Sequence, residues 1–262
     1  MAHSIITLTT DFGLSDHYVA AMKGVILSIA PAARIVDISH QVAPYDIAEA
    51  AYLLANAYAC FPKKTVHVVV VDPGVGTARR PVLAQAAGQS FVGPDNGVFG
   101  MVLARHKAVV RHVKTERYFR QPVSQTFHGR DIFSPVAAHL VKGVPAARMG
   151  PVIQDYLRPA FAAPEQTGKH FWTGAILKID HFGNVVTNFR LADFPAVERQ
   201  PFELQAGPHV ITRLVANYAE CGPGELVLIT GSSGYLEIST NQGSAAKILG
   251  CGAGAPVELR LY

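Results

Sequence analysis

The first half of the chain alternates between short apolar runs and segments whose apolar residues recur at helical spacing. The almost unbroken apolar run Thr65–Asp72 predicts a strand that is covered on both faces of a sheet. The alternation predicts an α/β domain with a largely parallel sheet. Further strands are expected at Ile5–Thr10, Arg34–Ile38, Val82–Ala87, Phe91–Val92 and Ala108–Val113, and helices at residues 15–30, 46–60, 97–105 and 132–141.

The pattern changes near Gly150, where prolines punctuate a stretch without clear periodicity. Strands then dominate, separated by turns rich in Gly, Pro and Asn, which is typical of a small β-barrel or sandwich. The sequence therefore predicts an α/β domain over residues 1–150, a linker over 151–170 and a smaller barrel-like, all-β domain over 171–262. The strands expected in that second domain are Trp172–Ile179, Asn184–Phe189, Phe202–Leu204, Val210–Leu214, Glu225–Ile229, Tyr235–Ile238 and Pro256–Leu261.

The charge and the cysteine content argue against several classes of protein. The net charge of +4 is spread along the chain, with Lys63-Lys64 and Arg79-Arg80 as the basic doublets, so we expect no nucleic-acid partner. The 3 cysteines lack CxxC spacing, which argues against a zinc site or a disulfide framework. No signal peptide and no apolar stretch of membrane-spanning length are recognisable, so we expect a cytoplasmic protein without a membrane partner.

Four polar clusters follow predicted strands or precede helices. Asp11-Phe12-Gly13 follows the first strand, and Asp72, with Arg79 seven residues later, follows the Thr65–Asp72 strand. Ligands of open α/β sheets bind at such strand ends, which makes both acids candidates for a binding site. The other clusters are residues 126–131 and 179–184. Taken singly, each is equally compatible with a helix cap, a solvated acid or a polar turn.

Together, however, these clusters resemble one family. The motifs TDFG, VAPYDI, VVVVDPGVGTARR, FVGPDNGVF, TFHGRDIF, IDHFGNVVTN and SSGYLEISTN occur in order between Ile5 and the C-terminus. This combination resembles the S-adenosyl-L-methionine (SAM) hydroxide adenosyltransferases, relatives of enzymes that fluorinate or chlorinate SAM. The resemblance implies attack of hydroxide on C5′ of SAM, giving adenosine and L-methionine without a cofactor or metal. It also implies a homotrimer whose active sites lie between the N-terminal domain of one subunit and the C-terminal domain of its neighbour.

The resemblance further implies roles for individual residues. Asp11 would bind the ribose, Tyr45 would form an aromatic wall near the sugar, and Phe127 would shape the pocket. The group that activates water would be Asp72, Arg79 and His128. The second domain would contact methionine and adenine through Asp180, Phe182, Asn184, Ser232, Ser233, Asn241 and Gln242. At the position of Ser233 the halogenating relatives carry an arginine, so the match is looser there.

These residue types suit displacement of methionine by water. The sulfonium is already a good leaving group, so the protein has mainly to position water, an effect that can supply roughly 7–11 kcal/mol. Asp72 can accept the proton or orient the water, and His128, with an ordinary pKa of about 6.5, can relay it. Arg79 stays cationic and can stabilise developing hydroxide charge. The sequence leaves open which of Asp72 and His128 takes the proton.

Three alternatives remain at this stage. A halogenase is disfavoured because a carboxylate about 4 Å from an incoming anion repels it by about 4 kcal/mol at an effective dielectric constant near 20. The chain also lacks an insertion between Arg80 and Phe91, where the fluorinating relatives have an extra loop. A metal-dependent nucleoside hydrolase would use Asp11, Asp16, Asp72 and His128 as ligands. A non-catalytic SAM or adenosine sensor would keep the pocket without turnover.

Overall fold

The protein has two compact units, separated after Pro159. The computed structural model describes residues 4–159 and 163–262. Among these residues, no helix has both the length and the apolar character needed to cross a membrane.

The first unit combines a sheet with helices. Its strands are β1 (Ile5–Thr10), β2 (Arg34–Ser39), β3 (Val66–Val70), β4 (Pro81–Ala86), β5 (Gln89–Pro94), β6 (Val109–His112) and β7 (Val152–Ile153). Its helices are α1 (Tyr18–Ile29), α2 (Ile47–Ala57), α3 (Gly100–Leu103) and α4 (Ser134–Val141). A π-helical turn, Gly129–Phe133, leads directly into α4.

The sheet of this unit is mixed, and the expectation of a largely parallel sheet is correct only in part. Its strand order is β2-β1-β3-β5-β4-β6-β7. The pairs among β2, β1, β3 and β5 are parallel, whereas β4 pairs antiparallel with β5 and β6, and β6 antiparallel with β7. The two-residue turn Ala87-Gly88, with both φ angles positive, joins β4 directly to β5. Such a tight turn can connect only antiparallel neighbours.

Local sequence signals explain the helix boundaries. The predicted capping box at the start of α2 is confirmed only in part: the Glu49 backbone N–H donates to Asp46 Oδ1 at 2.8 Å, but the Glu49 carboxylate accepts from the Ala43 N–H rather than from that of Asp46. The helix predicted over residues 97–105 is shorter, because Gly97 has a φ of 92° and lies in a turn before α3. Helices α1 and α4 bury Met22, Ile26 and Val136 in one core with the apolar residues of β1 and β3.

The second unit is dominated by one sheet of 9 strands. Its described residues include a short α-helix, α5 (Ala245–Leu249). Its strands are β8 (Glu165–Gly168), β9 (Phe171–Ile179), β10 (Val185–Arg190), β11 (Phe202–Ala206), β12 (His209–Ile211), β13 (Leu214–Val215), β14 (Val227–Thr230), β15 (Tyr235–Ser239) and β16 (Pro256–Leu261).

The order of these strands shows that the sheet curls. It runs β12-β11-β16-β9-β10-β15-β14-β13, with β8 beside β9, so β12 and β13 are its two ends. Yet Ile211, the last residue of β12, is separated from Leu214 of β13 by only two residues. The two ends must therefore approach each other, which gives a curled, half-barrel sheet. The single strand predicted over Val210–Leu214 is accordingly wrong, because it divides into β12 and β13.

Candidate active site

A cavity of about 370 Å³ opens in the first unit where β1 and β3 end. The parallel arrangement of these two strands brings their carboxyl ends, and hence Asp11 and Asp72, to the same edge of the sheet. The cavity is lined by Asp11, Phe12, Tyr18, Pro44, Tyr45, Val70, Asp72, Val75, Thr126, Phe127, His128 and Gly129.

Asp72 and Arg79 form a buried ion pair at this edge. Arg79 Nε donates to Asp72 Oδ1 at 2.9 Å, and Arg79 Nη2 donates to Asp72 Oδ2, so that each carboxylate oxygen has a guanidinium donor. The side chains are only 4% and 9% exposed, respectively. Asn96 supports the strand end, since its Nδ2 donates to the carbonyl of Val71 at 2.8 Å. The Asp72 carboxylate is therefore held in one orientation at the cavity wall.

His128 joins this pair through one ring nitrogen. Arg79 Nη2 lies 2.9 Å from His128 Nδ1, and because a guanidinium can only donate, Nδ1 must be the acceptor. The proton of the neutral ring is consequently on Nε2. Burial lowers the pKa of His128, and the charge of Arg79 lowers it further. The arrangement therefore favours a neutral imidazole that can donate through Nε2.

Two loops carry these three residues, and they lie in direct contact. A Cβ atom added to Gly76, in the loop between Asp72 and Arg79, would lie 2.4 Å from the carbonyl oxygen of Gln125. Gly76 also has a φ of 77°, which favours glycine. The loop before His128 can thus pack against the Asp72 loop only because residue 76 has no side chain.

Asp11 and Tyr45 are linked on another side of the cavity. The Tyr45 backbone N–H donates to Asp11 Oδ2 at 2.9 Å. Tyr45 has a φ of 68°, an unusual conformation for a residue with a side chain, and its side chain is 71% exposed. Phe127 packs edge-on against Phe12 and Tyr18, with ring centroids 5.9 and 5.3 Å apart. The structure thus brings Asp11, Tyr45, Phe127, Asp72 and His128 to one cavity, and Arg79 binds Asp72 and His128 without itself being a lining residue.

The second unit has its own cavity, of about 630 Å³. Asp180 shapes its rim, because its carboxylate accepts hydrogen bonds from the backbone of Phe182 and from the backbone and Nδ2 of Asn184, each at 2.8 Å. Phe182 is 76% exposed. The cavity is lined by Phe182, Asn184, Tyr218, Thr240, Asn241, Gln242, Gly243 and Ser244.

Comparison with known proteins identifies the family. Residues 6–150 match the model of the SAM hydroxide adenosyltransferase N-terminal domain, and residues 174–258 match that of the C-terminal domain. The chain belongs to the SAM hydroxide adenosyltransferase family. It is 38% identical to an (R)-S-adenosyl-L-methionine hydrolase of Salinispora tropica over 94% of this chain and 93% of that protein.

Other relatives of this SAM hydroxide adenosyltransferase family member include halogenating enzymes. A fluorinase of Nocardia brasiliensis is 28% identical over 98% of this chain and 97% of that protein. A crystal structure of a conserved protein from Thermotoga maritima superposes with a TM-score of 0.88 at 35% identity, covering 97% of this chain and 99% of that one. The family relationship therefore extends over both units.

Some of the residues that the SAM hydroxide adenosyltransferase motifs suggested in the second unit line its cavity, and others do not. Phe182, Asn184, Asn241 and Gln242 line its cavity, whereas Ser232 and Ser233 lie in the turn between β14 and β15 and are not among the lining residues. Sequence reasoning missed other cavity residues, namely Tyr18 and Thr126 in the first unit and Tyr218, Thr240 and Ser244 in the second. Thr126 and Thr240 lie within the motifs TFHGRDIF and SSGYLEISTN, which was the available signal, whereas Tyr218 lies in a segment without a recognised motif.

The geometry gives no support to the metal-dependent alternative. Within residues 4–159 and 163–262, no group of three or more His, Cys, Asp or Glu side chains is arranged to hold a metal ion. Asp16, one ligand of that hypothetical site, is exposed and does not line the cavity. Asp72 and His128 instead share Arg79 as their partner.

Proposed function

We propose that this protein hydrolyses SAM by attack of water on C5′, giving adenosine and L-methionine. The observation that supports this most directly is a cavity lined by Asp11, Asp72 and His128, with the guanidinium of Arg79 bound to both Asp72 and His128. The relatives with the same two domains include an (R)-S-adenosyl-L-methionine hydrolase. No cofactor is needed, since the sulfonium already activates the substrate.

The hydrogen bonds support different roles for Asp72 and His128. His128 Nδ1 is occupied by the Arg79 donor, so the imidazole cannot take a proton there without losing that contact. Its Nε2–H can instead donate to the water oxygen and orient it. Asp72 retains a free lone pair on each oxygen and accepts the proton as the C–O bond forms. Asp72 loses its negative charge as it takes the proton, and Arg79 stabilises the hydroxide-like charge that develops on the attacking oxygen.

The substrate would be held by the first unit of one subunit and by the second unit of its neighbour in the proposed homotrimer. In the first, the backbone of Tyr45 occupies one oxygen of Asp11 and leaves Oδ1 for a ribose hydroxyl. Phe127 and Tyr45 would bound the sugar. In the second, adenine and methionine would be contacted by Asp180, Phe182, Asn184, Ser232, Ser233, Asn241 and Gln242. Asp180, Ser232 and Ser233 do not line the cavity, but Asp180 binds the lining residues Phe182 and Asn184.

A halogenase is the nearest rival, because fluorinases are relatives. Asp72 is the feature that disfavours it, since a carboxylate beside the nucleophile repels an anion but assists water. Arg79 lies on both Asp72 oxygens and offsets part of that repulsion. We therefore expect the preference for water to be smaller than the thousandfold that an isolated carboxylate would give, at about 4 kcal/mol.

One assay distinguishes the proposed function from its rivals. Purified protein is incubated with SAM, and adenosine and methionine are measured by chromatography, with parallel reactions containing EDTA, chloride or fluoride. Equal amounts of adenosine and methionine, insensitive to EDTA, are expected. A 5′-halogenated nucleoside as the main product would favour the halogenase, loss of activity with EDTA the metal enzyme, and binding without turnover the sensor.

The assembly and location belong to the same proposal. We infer a homotrimer, because this is the arrangement that the family resemblance implies, and a cytoplasmic location, because SAM is an intracellular metabolite. The oligomeric state is tested by sedimentation, and the location by fractionation of cells that express the protein.

A further inference from the structure

A fully buried carboxylate outside the three reacting side chains holds the loop that carries His128. The side chain of Asp131, in the π-helical turn, is 0% exposed. It accepts hydrogen bonds from Arg130 Nε at 2.7 Å, Arg130 Nη2 at 2.8 Å, Arg120 Nη1 at 3.1 Å and the Ser124 backbone N–H at 2.9 Å. A buried charge is tolerated only with such compensation, so these donors and Asp131 form one interdependent unit.

These contacts close the loop at residues 120–131. The backbone carbonyl of Asp131 accepts from the Arg120 N–H at 2.9 Å, so that main chain and side chain of Asp131 both bind the start of the loop. The bond from Ser124 to Asp131 encloses Phe127 and His128. The guanidinium carbon of Arg130 also lies 4.9 Å from the centre of the Phe127 ring.

We propose that Asp131 is a positioning residue, which holds Phe127 and His128 in their working geometry without touching the substrate itself. This role rests on the proposed hydrolysis, because the geometry that matters is that of His128 Nε2 toward the attacking water. Asp131 acts through Ser124 and Arg130. Loss of its charge would release the loop and leave two guanidinium groups without their buried partner.

The charge of Asp131 also reaches His128. Three charged groups act on the imidazole: Arg79 lowers its pKa, whereas Asp72 and Asp131 raise it. Removing the negative charge of Asp131 should therefore lower the pKa of His128 further. Because hydrolysis requires neutral His128, the acid limb of the rate profile should move to lower pH. A residue that merely stabilises the fold would leave this limb in place.

The test is the variant Asp131→Asn, which keeps the side-chain volume but removes the charge. We expect kcat to fall about 10- to 100-fold with less than about a threefold change in adenosine affinity, because displacement of a catalytic group affects the transition state more than the bound nucleoside. The matched control is Glu203→Gln, which removes an acid paired with Arg260 at 3.9 Å in the second unit and should leave both values unchanged.

The His128 titration, followed by NMR of labelled protein, gives a readout independent of activity. A folded Asp131→Asn protein with unchanged kcat, or with an unmoved His128 titration, would overturn the positioning role. If Asp131→Asn does not fold, the kcat of Arg120→Gln is measured instead, because Arg120 is 44% exposed. A severalfold loss of kcat is expected there, and wild-type kcat would overturn the proposal. Wild-type protein that forms no adenosine from SAM would instead refute the proposed function, while the titration would still report on Asp131.

Discussion

At the scale of single residues, the proposed role of Asp72 as proton acceptor can be tested directly. Its carboxylate is 4% exposed and pairs with Arg79, whereas His128 accepts from the same guanidinium. Asp72→Asn keeps the shape but removes the proton acceptor, so turnover should fall by about a hundredfold or more. Adenosine affinity, measured by calorimetry, should change little. Unchanged turnover in this variant would remove Asp72 from the mechanism.

His128 allows a test of the hydrogen-bonding assignment. If Nε2–H only orients water, His128→Gln, whose amide can donate from a similar position, should stay within about tenfold of wild type, whereas His128→Ala should lose about a hundredfold. Burial and Arg79 lower the pKa of His128, so the wild-type rate should stay high as the pH falls and decline only below about 6.5. In the Gln variant this decline should vanish.

These two variants need a criterion that separates a donor from a base. Steady-state rates are measured between pH 5 and about 9, the range in which histidine titrates. A Gln variant as inactive as the Ala variant would show that His128 must take the proton itself. If the His128→Gln variant is active but its rate still declines at low pH, that decline must come from the titration of another group.

At the scale of elements, the contact between two loops controls the site. Ala at position 76 would place Cβ 2.4 Å from the Gln125 carbonyl and force the Asp72 and His128 loops apart. Gly76→Ala should therefore lose both stability and kcat. Gly143→Ala is the matched control, because Gly143 also has a positive φ, 92°, but no atom within 4 Å of the added Cβ.

The two glycine variants should differ in a defined way. Gly143→Ala should lose about 1–2 kcal/mol of unfolding free energy from backbone strain, with wild-type kcat. Gly76→Ala should lose that amount and in addition most of its activity. Denaturant unfolding and initial rates measure both quantities. Equal rates for the two variants would show that the loop contact does not position the reacting side chains.

Local signals predicted the elements well because they depend on neighbours in sequence. Strand β3 and the Asp46 N-cap of α2 follow from an apolar run and from cap chemistry. Contacts between distant segments were not predictable in this way. The hairpin at Ala87-Gly88, the left-handed conformation of Tyr45 and the buried bonds of Asp131 depend on tertiary packing that a local pattern does not contain.

The same distinction between local patterns and tertiary contacts applies to the candidate site. Motif resemblance indicated Asp11, Asp72, Arg79 and His128; the structure places Asp11, Asp72 and His128 at one cavity, with Arg79 bound to Asp72 and His128. It could not indicate Tyr218, which lines the second cavity from a 3-10 turn after β13. Nor could spacing alone show which nitrogen of His128 accepts a hydrogen bond, since this follows from the position of Arg79.

At the scale of the whole molecule, exposed apolar residues at both cavities bear on the proposed homotrimer. Tyr45 at the first cavity is 71% exposed, and Phe182 at the second is 76% exposed. Large apolar groups at a site that must exclude water are usually covered by substrate or by another chain. Sedimentation velocity should therefore give about three times the chain mass of 28.1 kDa.

Phe182→Ala should weaken the proposed trimer or raise KM, whereas Val210→Ala, an exposed apolar control on β12, should do neither. A fully active monomer at assay concentration would contradict active sites shared between subunits. The exposed aromatic residues would then be covered by the substrate alone.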